Sequence, residues 1–441
     1  MEFREAVKRL KEEGLLEVID DPVSVEYEAA AYLKRFDGSK AVLIRNPVMK
    51  DGRPSSFSIV GGVATSRRTL LASLGISNIR ELRGRIRNAL KNPTEYKESE
   101  PCWTKINLRL TDLPILRHYT GEPGPYMTAS IVIFRGTDGL LSSSYHRMMP
   151  ISENRVVLRA VEGRKLSRTI EKFRERGKEL PVAVSIGSPV EVMVASAVPA
   201  ENVDKIKMAG GISGVPVEMS KCDEVDAWAP STSEIVLCGR ILPREIALEG
   251  PFYEILGKDI RRMQPILEID GIYTRKNAIY QAILPASREH ELLMGLPVEP
   301  LIEERVSEVA DVVDVAMTPG GAGWIEVAIS IRKASDDQPT LAGLIAISAH
   351  KSLKRVIVVD EDVDVSNYLE VMKAVLQRAH IPDDYKMISG IKGSSLDHSN
   401  LREAVIDGER RLIRLPQGKM IIDATRKGPI ELTEKPENPY L

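Results

Sequence analysis

The sequence predicts a mixed α/β protein of the α+β kind, built in three parts, and three observations predict it. Helix and strand patterns alternate at both ends of the chain. The middle is dominated by short apolar runs broken by Gly, Pro and Asp. The 441 residues exceed a typical domain of ~100–200 residues two- to threefold. The expected parts are an α/β domain over 1–110, a β-rich central domain over 111–300 and a second α/β domain over 301–441.

In the first part, Phe3, Ala6, Val7 and Leu10 repeat at helical spacing and Gly14 is the stop. A short strand is expected over Ala41–Ile44, and a helical pattern over Arg67–Leu90 that Pro93 ends. In the middle, Ala129–Phe134, Val182–Ile186, Glu191–Ala195, Val215–Met219 and Glu234–Leu237 read as strands, with Ser167–Arg176 the clearest helix. That pattern predicts a barrel-like or sandwiched sheet with inserted helices. In the last part, Val356–Val359 reads as a buried strand. Leu369, Met372, Val375 and Leu376 mark a helix, and the tail Thr433–Pro439 reads as extended.

Composition narrows the class. Hydrophobic residues are 43% and charged residues 28%, a globular balance. With 61 basic and 63 acidic residues the net charge is -2, which gives no polyanion signal and no reason to expect a nucleic-acid partner. No apolar run reaches the ~18 residues of a membrane span. The charged start Met1-Glu2-Phe3-Arg4 is not a signal peptide. Cys102, Cys222 and Cys238 are odd in number and widely spaced, which argues against disulfides or a zinc cluster and for a reducing cytoplasm.

Two segments could carry chemistry. In Ser142-Ser143-Ser144-Tyr145-His146-Arg147-Met148, an arginine stands among small and apolar neighbours. It is either a side chain reaching to water along its stem or a planar fork for a substrate carboxylate. In Glu249-Gly250-Pro251-Phe252-Tyr253-Glu254, Gly-Pro excludes a regular helix. The segment is either a surface turn with solvated acids or a bend that brings two carboxylates together for acid–base work. The Gly-rich run Thr318–Gly323 matches no phosphate-loop pattern and reads as a turn. His118, His146, His290, His350, His380 and His398 show no metal-ligand spacing.

These segments, with Glu153-Asn154-Arg155, Leu180–Val184, Glu234–Leu237, Leu248–Phe252, Ala282–Ala286 with Glu289-His290, Val358–Asp362 and Asp423–Lys427 in that order, resemble the UbiD family of decarboxylases over nearly the whole chain. The resemblance implies a central split β-barrel that binds flavin and a C-terminal domain that forms homodimers or homohexamers. It also implies prenylated FMN, supplied by a separate flavin prenyltransferase. The family's Arg–Glu–Glu set falls on Arg147, Glu249 and Glu254. Flavin contacts are implied at Tyr145, His146, Arg147, Arg159, Ala160 and Val161, and near Arg164.

The family usually holds the flavin phosphate through a divalent metal, typically manganese, on Asn, His and Glu. Here those positions are Ser142, Lys165 and Lys205, with Lys207 as the alternative register for the last. Protonated lysine is not a metal ligand, and two ammonium groups carry the charge of one divalent cation. The expectation is that Lys165 and Lys205 bind the phosphate directly. For the reaction, the resemblance implies a carboxy-lyase acting on an unsaturated acid. The chain's 5% aromatic content leans towards the archaeal members that convert trans-anhydromevalonate 5-phosphate, an isoprenoid precursor, to isopentenyl phosphate. The alternatives are an aromatic acid such as a 4-hydroxybenzoate derivative, or a non-catalytic subunit that kept the fold.

Overall fold

The computed structural model describes residues 2–406 and 409–427, so the tail expected to be extended, 433–439, lies outside the described residues. The chain forms two compact units, Met1–Leu293 and Met294–Leu441.

The first unit opens with the helix Phe3–Glu12, which buries Phe3, Ala6, Val7 and Leu10. Gly14 takes the left-handed backbone (φ +69°) that lets the chain turn into a sheet. That sheet runs Leu16–Ser24, Ala41–Val48, Ser58–Gly61 and then Ile279–Ala282, a strand from far along the chain that pairs parallel to Ser58–Gly61. The helical pattern over 67–90 resolves into two helices, Arg67–Leu74 and Ile79–Lys91. Gly75 stops the first at φ +65°. Asn78 caps the second by accepting from Glu81 N.

The central sheet positions the site. Its strands run in the order Leu141–Tyr145, Ile131–Arg135, Leu180–Ile186, Ile235–Glu249, Arg262–Thr274, Arg155–Leu158, Met148–Pro150. The first and last strands of that path are joined in sequence by His146 and Arg147 alone. The sheet therefore curls until its ends meet, and Arg147 sits at the seam, where Met127 also bridges to Met148. Alternate residues Val182, Val184 and Ile186, with Ile235, Leu237 and Leu267, fill the core. The pairing of Ile235–Glu249 with Arg262–Thr274 is interrupted by a bulge at Cys238/Gly239 and again between Ile241 and Ile246, irregularities of the kind that bend a strand. A Cβ at Gly239 would lie 2.1 Å from the Glu268 carbonyl oxygen.

Three expectations are corrected. Glu191–Ala195 is not a strand but part of the helix Val190–Ala197, buried along most of its length. A short apolar run has no period that separates the two. The strand expected over Val215–Met219 forms at Glu218–Lys221, pairing with Lys97–Glu98. Cys222 and Cys238, 16 residues apart in sequence, are joined in a disulfide with Cα atoms 6.0 Å apart, leaving Cys102 free. Spacing along a chain that folds back says little about distance through space, so the cysteine count no longer argues for a reducing compartment. No helix among the described residues is long and apolar enough to cross a membrane.

The second unit carries a five-stranded sheet, Asp311–Met317, Glu326–Arg332, Arg355–Asp360, Gln417–Ala424 and Tyr385–Ile391 in spatial order. Val356–Val359 is fully buried, and the helix Tyr368–Arg378 follows. The Thr318–Gly323 run is a turn in which the Thr318 hydroxyl accepts from Gly321 N.

Gly239→Ala should destabilise the first unit by ~1–3 kcal/mol, because the new methyl meets backbone rather than a movable side chain. Urea unfolding measures it, and an unchanged midpoint would contradict the close approach at the bulge.

Candidate active site

Arg147 does not reach to water. Its side chain is 7% exposed and ringed by three carboxylates. Nε donates to Glu249 Oε1 at 2.8 Å and Nη2 to Glu249 Oε2 at 3.0 Å, a two-pronged pair. Nη2 also donates to Asp259 Oδ2 at 2.7 Å, and Nη1 donates to Glu254 Oε1. The guanidinium lies over the Phe252 ring, 4.4 Å from its centroid.

The local chain explains the convergence. Glu249 ends the Ile235–Glu249 strand, and Gly250 then turns at φ +86° into a cis bond with Pro251. The next residues make a hairpin, Phe252–Glu254 against Gly257–Asp259. Side chains alternate along it. Phe252, Glu254 and Asp259 therefore share the face towards Arg147, and Tyr253 and Lys258 take the other. Tyr126 locks the turn: its hydroxyl donates to Glu249 Oε1 at 3.2 Å and accepts from Gly250 N at 3.1 Å. Glu254, its side chain 15% exposed, is the most accessible of the three acids, and its second oxygen lies 3.5 Å from His290 Nε2.

The electrostatics follow from this packing. Burial works against ionising Asp259, but Arg147, Arg262 and Arg159 outweigh it and hold its carboxyl below the usual range. Burial likewise disfavours the charged form of Arg147, yet Glu249, Glu254 and Asp259 more than offset it and raise its pKa. Burial keeps His290 neutral-leaning, with Glu254 opposing and Arg147 assisting. Burial pushes Glu289 up to about 7, against N–H donors from Ala64 and Gly62.

The sequence foresaw Arg147, Glu249 and Glu254, and the structure brings them together. It missed Asp259, Tyr126 and Phe252. The tight turn Ile255-Leu256, followed by Gly257, was the available signal for Asp259, since it returns the chain opposite Phe252. Tyr126 comes from a distant loop and left no such signal.

The other candidate residues form two groups. His146 Nδ1 faces the Arg159 carbonyl at 2.8 Å, so that nitrogen carries the hydrogen, and Ser144 Oγ sits 2.8 Å from Nε2. Arg159 pairs with Glu162, and Ala160 N donates to Gln264 Oε1. Val161 is half-buried and Arg164 exposed, one residue before the helix Lys165–Glu175. Tyr145 is half-buried, but its hydroxyl is enclosed and unpartnered, as are Ser130 Oγ and Gln281 Oε1. Buried orphans of this kind are where a polar ligand fits.

The second group is Ser142, Lys165 and Lys205. Lys205 is 4% exposed, whereas Lys207 turns outward to Glu95, so Lys205 is the inward-facing residue of the pair. A divalent metal does not fit this donor set of one hydroxyl and two ammonium groups. The adjacent Asp204 already accepts from Ile206 N, Lys207 N and Leu141 N. Among the described residues no cluster of three or more His, Cys, Asp or Glu could hold a metal.

The sequence matches the N-terminal, Rift-related and C-terminal domains of UbiD, 3-octaprenyl-4-hydroxybenzoate carboxy-lyase, over 7–86, 90–288 and 291–424. The chain belongs to the UbiD family of carboxy-lyases. It is 35% identical to the anhydromevalonate phosphate decarboxylase of Methanothermobacter thermautotrophicus, over 90% of this chain and 93% of that one. It is 33% identical to the protein of the same name from Methanosarcina mazei, over 96% and 97%. Among solved structures, the UbiD-class enzyme HmfF of Pelotomaculum thermopropionicum in complex with FMN superposes with a TM-score of 0.91 at 29% identity, covering 100% of this chain and 98% of that one. The UbiD fold is thus present throughout.

Two outcomes test this UbiD site. Arg147→Ala strands the buried Glu249 without its cation, while Asp259 keeps Arg262, and should cost ~3–5 kcal/mol of stability in urea unfolding; a loss under ~1 kcal/mol would contradict the buried cluster. His146 supplies a pH signature, because burial lowers its pKa from the ordinary 6.5 to about 4. Between those values the unfolded chain takes a proton that the folded chain refuses. Its contribution is therefore full above pH 6.5 and lost at ~1.4 kcal/mol per unit as pH falls towards 4. Glu289 acts with the opposite sign but is common to wild type and variant. The stability advantage of wild type over His146→Asn should shrink across that window; a pH-independent difference would contradict burial of a neutral ring.

Proposed function

We propose that this chain is a prenylated-FMN-dependent decarboxylase that converts trans-anhydromevalonate 5-phosphate to isopentenyl phosphate and CO2. The observation that carries the substrate is the shared name of the relatives at 35% and 33% identity, each matched over nine-tenths or more of its length. A UbiD-class neighbour is described in complex with prFMN. When bound, that group supplies the electron sink which no side chain offers for the electrons left on carbon.

The chain's own residues do the rest. Arg147, fixed by Glu249 and Asp259, presents a guanidinium whose Nη1 edge faces Glu254. Arg147 orients the substrate carboxylate and Glu249 holds Arg147 in place. Glu254 delivers the proton that replaces CO2, and His290 sits beside its free oxygen. Tyr145, His146, Arg159, Ala160 and Val161 hold the flavin, with Arg164 near it. A non-catalytic scaffold would have no use for a partly accessible Glu254 set beside His290.

The division of labour we propose is an N-terminal domain over 1–110, the flavin-binding domain over 111–300 and an oligomerisation domain over 301–441. A homodimer or homohexamer is supported by Leu369 and Leu376, both exposed by about four-fifths on one helix of the second unit. The cofactor's supplier is a flavin prenyltransferase, and the proposed setting is the cytoplasm. An aromatic acid is the second reading, favoured by 26% identity to a gallate decarboxylase of Lactiplantibacillus plantarum over 69% of this chain.

Protein co-expressed with a flavin prenyltransferase should release CO2 from trans-anhydromevalonate 5-phosphate and none from 4-hydroxybenzoates or gallate; the reverse pattern would install the aromatic reading. Glu254→Gln should keep the bound-flavin spectrum and lower kcat by at least ~100-fold. An unaffected rate would refute its role as proton donor.

A further inference from the structure

Lys205 is a buried cation with no counter-charge in contact. It opens the helix Lys205–Ser213, and its side chain folds back into the protein. Both hydrogen bonds of its ammonium go to neutral carbonyls, Ala195 O at 3.1 Å and Val198 O. Those carbonyls close the helix Val190–Ala197, where orphan C=O groups gather partial negative charge. The charged groups that act on Lys205 are Lys165, which repels it, and Glu201, which attracts it more weakly; burial is the largest influence, and its pKa falls to about 7.

Lys165 comes from a different element, the start of the helix Lys165–Glu175. Its ammonium donates to Glu201 O at 2.9 Å and lies 2.9 Å from Asp138 Oδ2. Gly136 leaves room for its stem, since a Cβ there would lie 3.0 Å from Lys165 Cε. Ser142 is buried on the strand Leu141–Tyr145. The same strand is tied to the lysines by Leu141 N to Asp204 Oδ2 at 3.0 Å, and to the helix Val190–Ala197 by Ser196 Oγ to Ser143 Oγ at 2.8 Å.

Lys165 has Asp138 as a counter-charge, but Lys205 is buried with none in contact and feels Lys165 as a like charge, an arrangement that is costly in the empty protein. An anion placed between them would remove that cost. The dianionic phosphate of a flavin mononucleotide matches the two ammonium groups in charge once Lys165 exchanges Asp138 for it. It would enter at one end of the strand that leads to Arg147, about five residues or roughly 17 Å away along an extended chain.

We infer that Lys165 and Lys205 bind the flavin phosphate directly and that this chain anchors its cofactor without a divalent metal. The inference rests on the reading that the chain binds prenylated FMN, and the experiment separates the two. Full-length protein expressed without a prenyltransferase and stripped of flavin is titrated with FMN and with riboflavin, once in excess EDTA and once in MnCl2. FMN affinity should be the same in both, and riboflavin should bind at least ~100-fold more weakly, as expected for the loss of two charge-assisted contacts. Lys165→Met and Lys205→Met should each weaken FMN at least ~10-fold and leave riboflavin unchanged. A merely structural lysine would weaken both ligands alike. If the Lys205 variant does not fold, Lys165→Met and the wild-type comparison decide. Manganese-dependent FMN binding, or one manganese per chain retained by the flavin-loaded protein, overturns the inference and leaves the flavin reading standing. Binding of neither flavin under either condition overturns both.

Discussion

One buried guanidinium organises the first unit. Arg147 has every donor nitrogen engaged, and its partners come from a long strand and the hairpin that follows it. A buried cation left half-paired costs several kcal/mol, so those elements hold their relative positions or the cluster fails. The constraint also works on the sheet. Arg147 occupies the two-residue link between the first and last strands of the curled path, so satisfying it and closing the sheet are one event. Asp259 is shared with Arg262 and Glu249 is wholly buried, and Glu254 is the member with access to solvent and to His290. The acid proposed as proton donor is thus the one the packing leaves least enclosed.

The opposite end of the Leu141–Tyr145 strand holds the two lysines, with Asp138 on Lys165. Lys165 and Lys205 gather there, beside a fully committed Asp204. The proposed site therefore runs along one strand, from the lysines proposed to hold the phosphate to the carboxylates around Arg147. Placing both on rigid elements fixes their separation, which loops would not do.

Much of this was legible in the sequence, and the failures have physical causes. The Phe3–Leu10 period and the Val356–Val359 run predicted their elements because burial on one face, or on both, writes itself into residue order. Gly250-Pro251 announced a bend, and the bend does bring Glu249 and Glu254 to one point. Glu191–Ala195 misled because a buried helix and a buried strand are both simply apolar over five residues. Asp259 and Tyr126 were missed because their partnership with Arg147 and Glu249 is made across the fold rather than along the chain. From chemistry alone Arg147 could equally have reached to solvent; only the family resemblance and then the geometry separated those readings. The Cys222–Cys238 disulfide was missed for the same reason of distance through space.

The central claim is that a proton held by the Arg147 cluster replaces CO2 on the substrate carbon. The direct measurement is NMR of the product formed by the flavin-loaded protein from trans-anhydromevalonate 5-phosphate in D2O. The account predicts isopentenyl phosphate carrying one deuteron, at the carbon that lost CO2. Product with no deuterium at that carbon, or no decarboxylation of this acid by protein with its prenylated flavin in place, would contradict it.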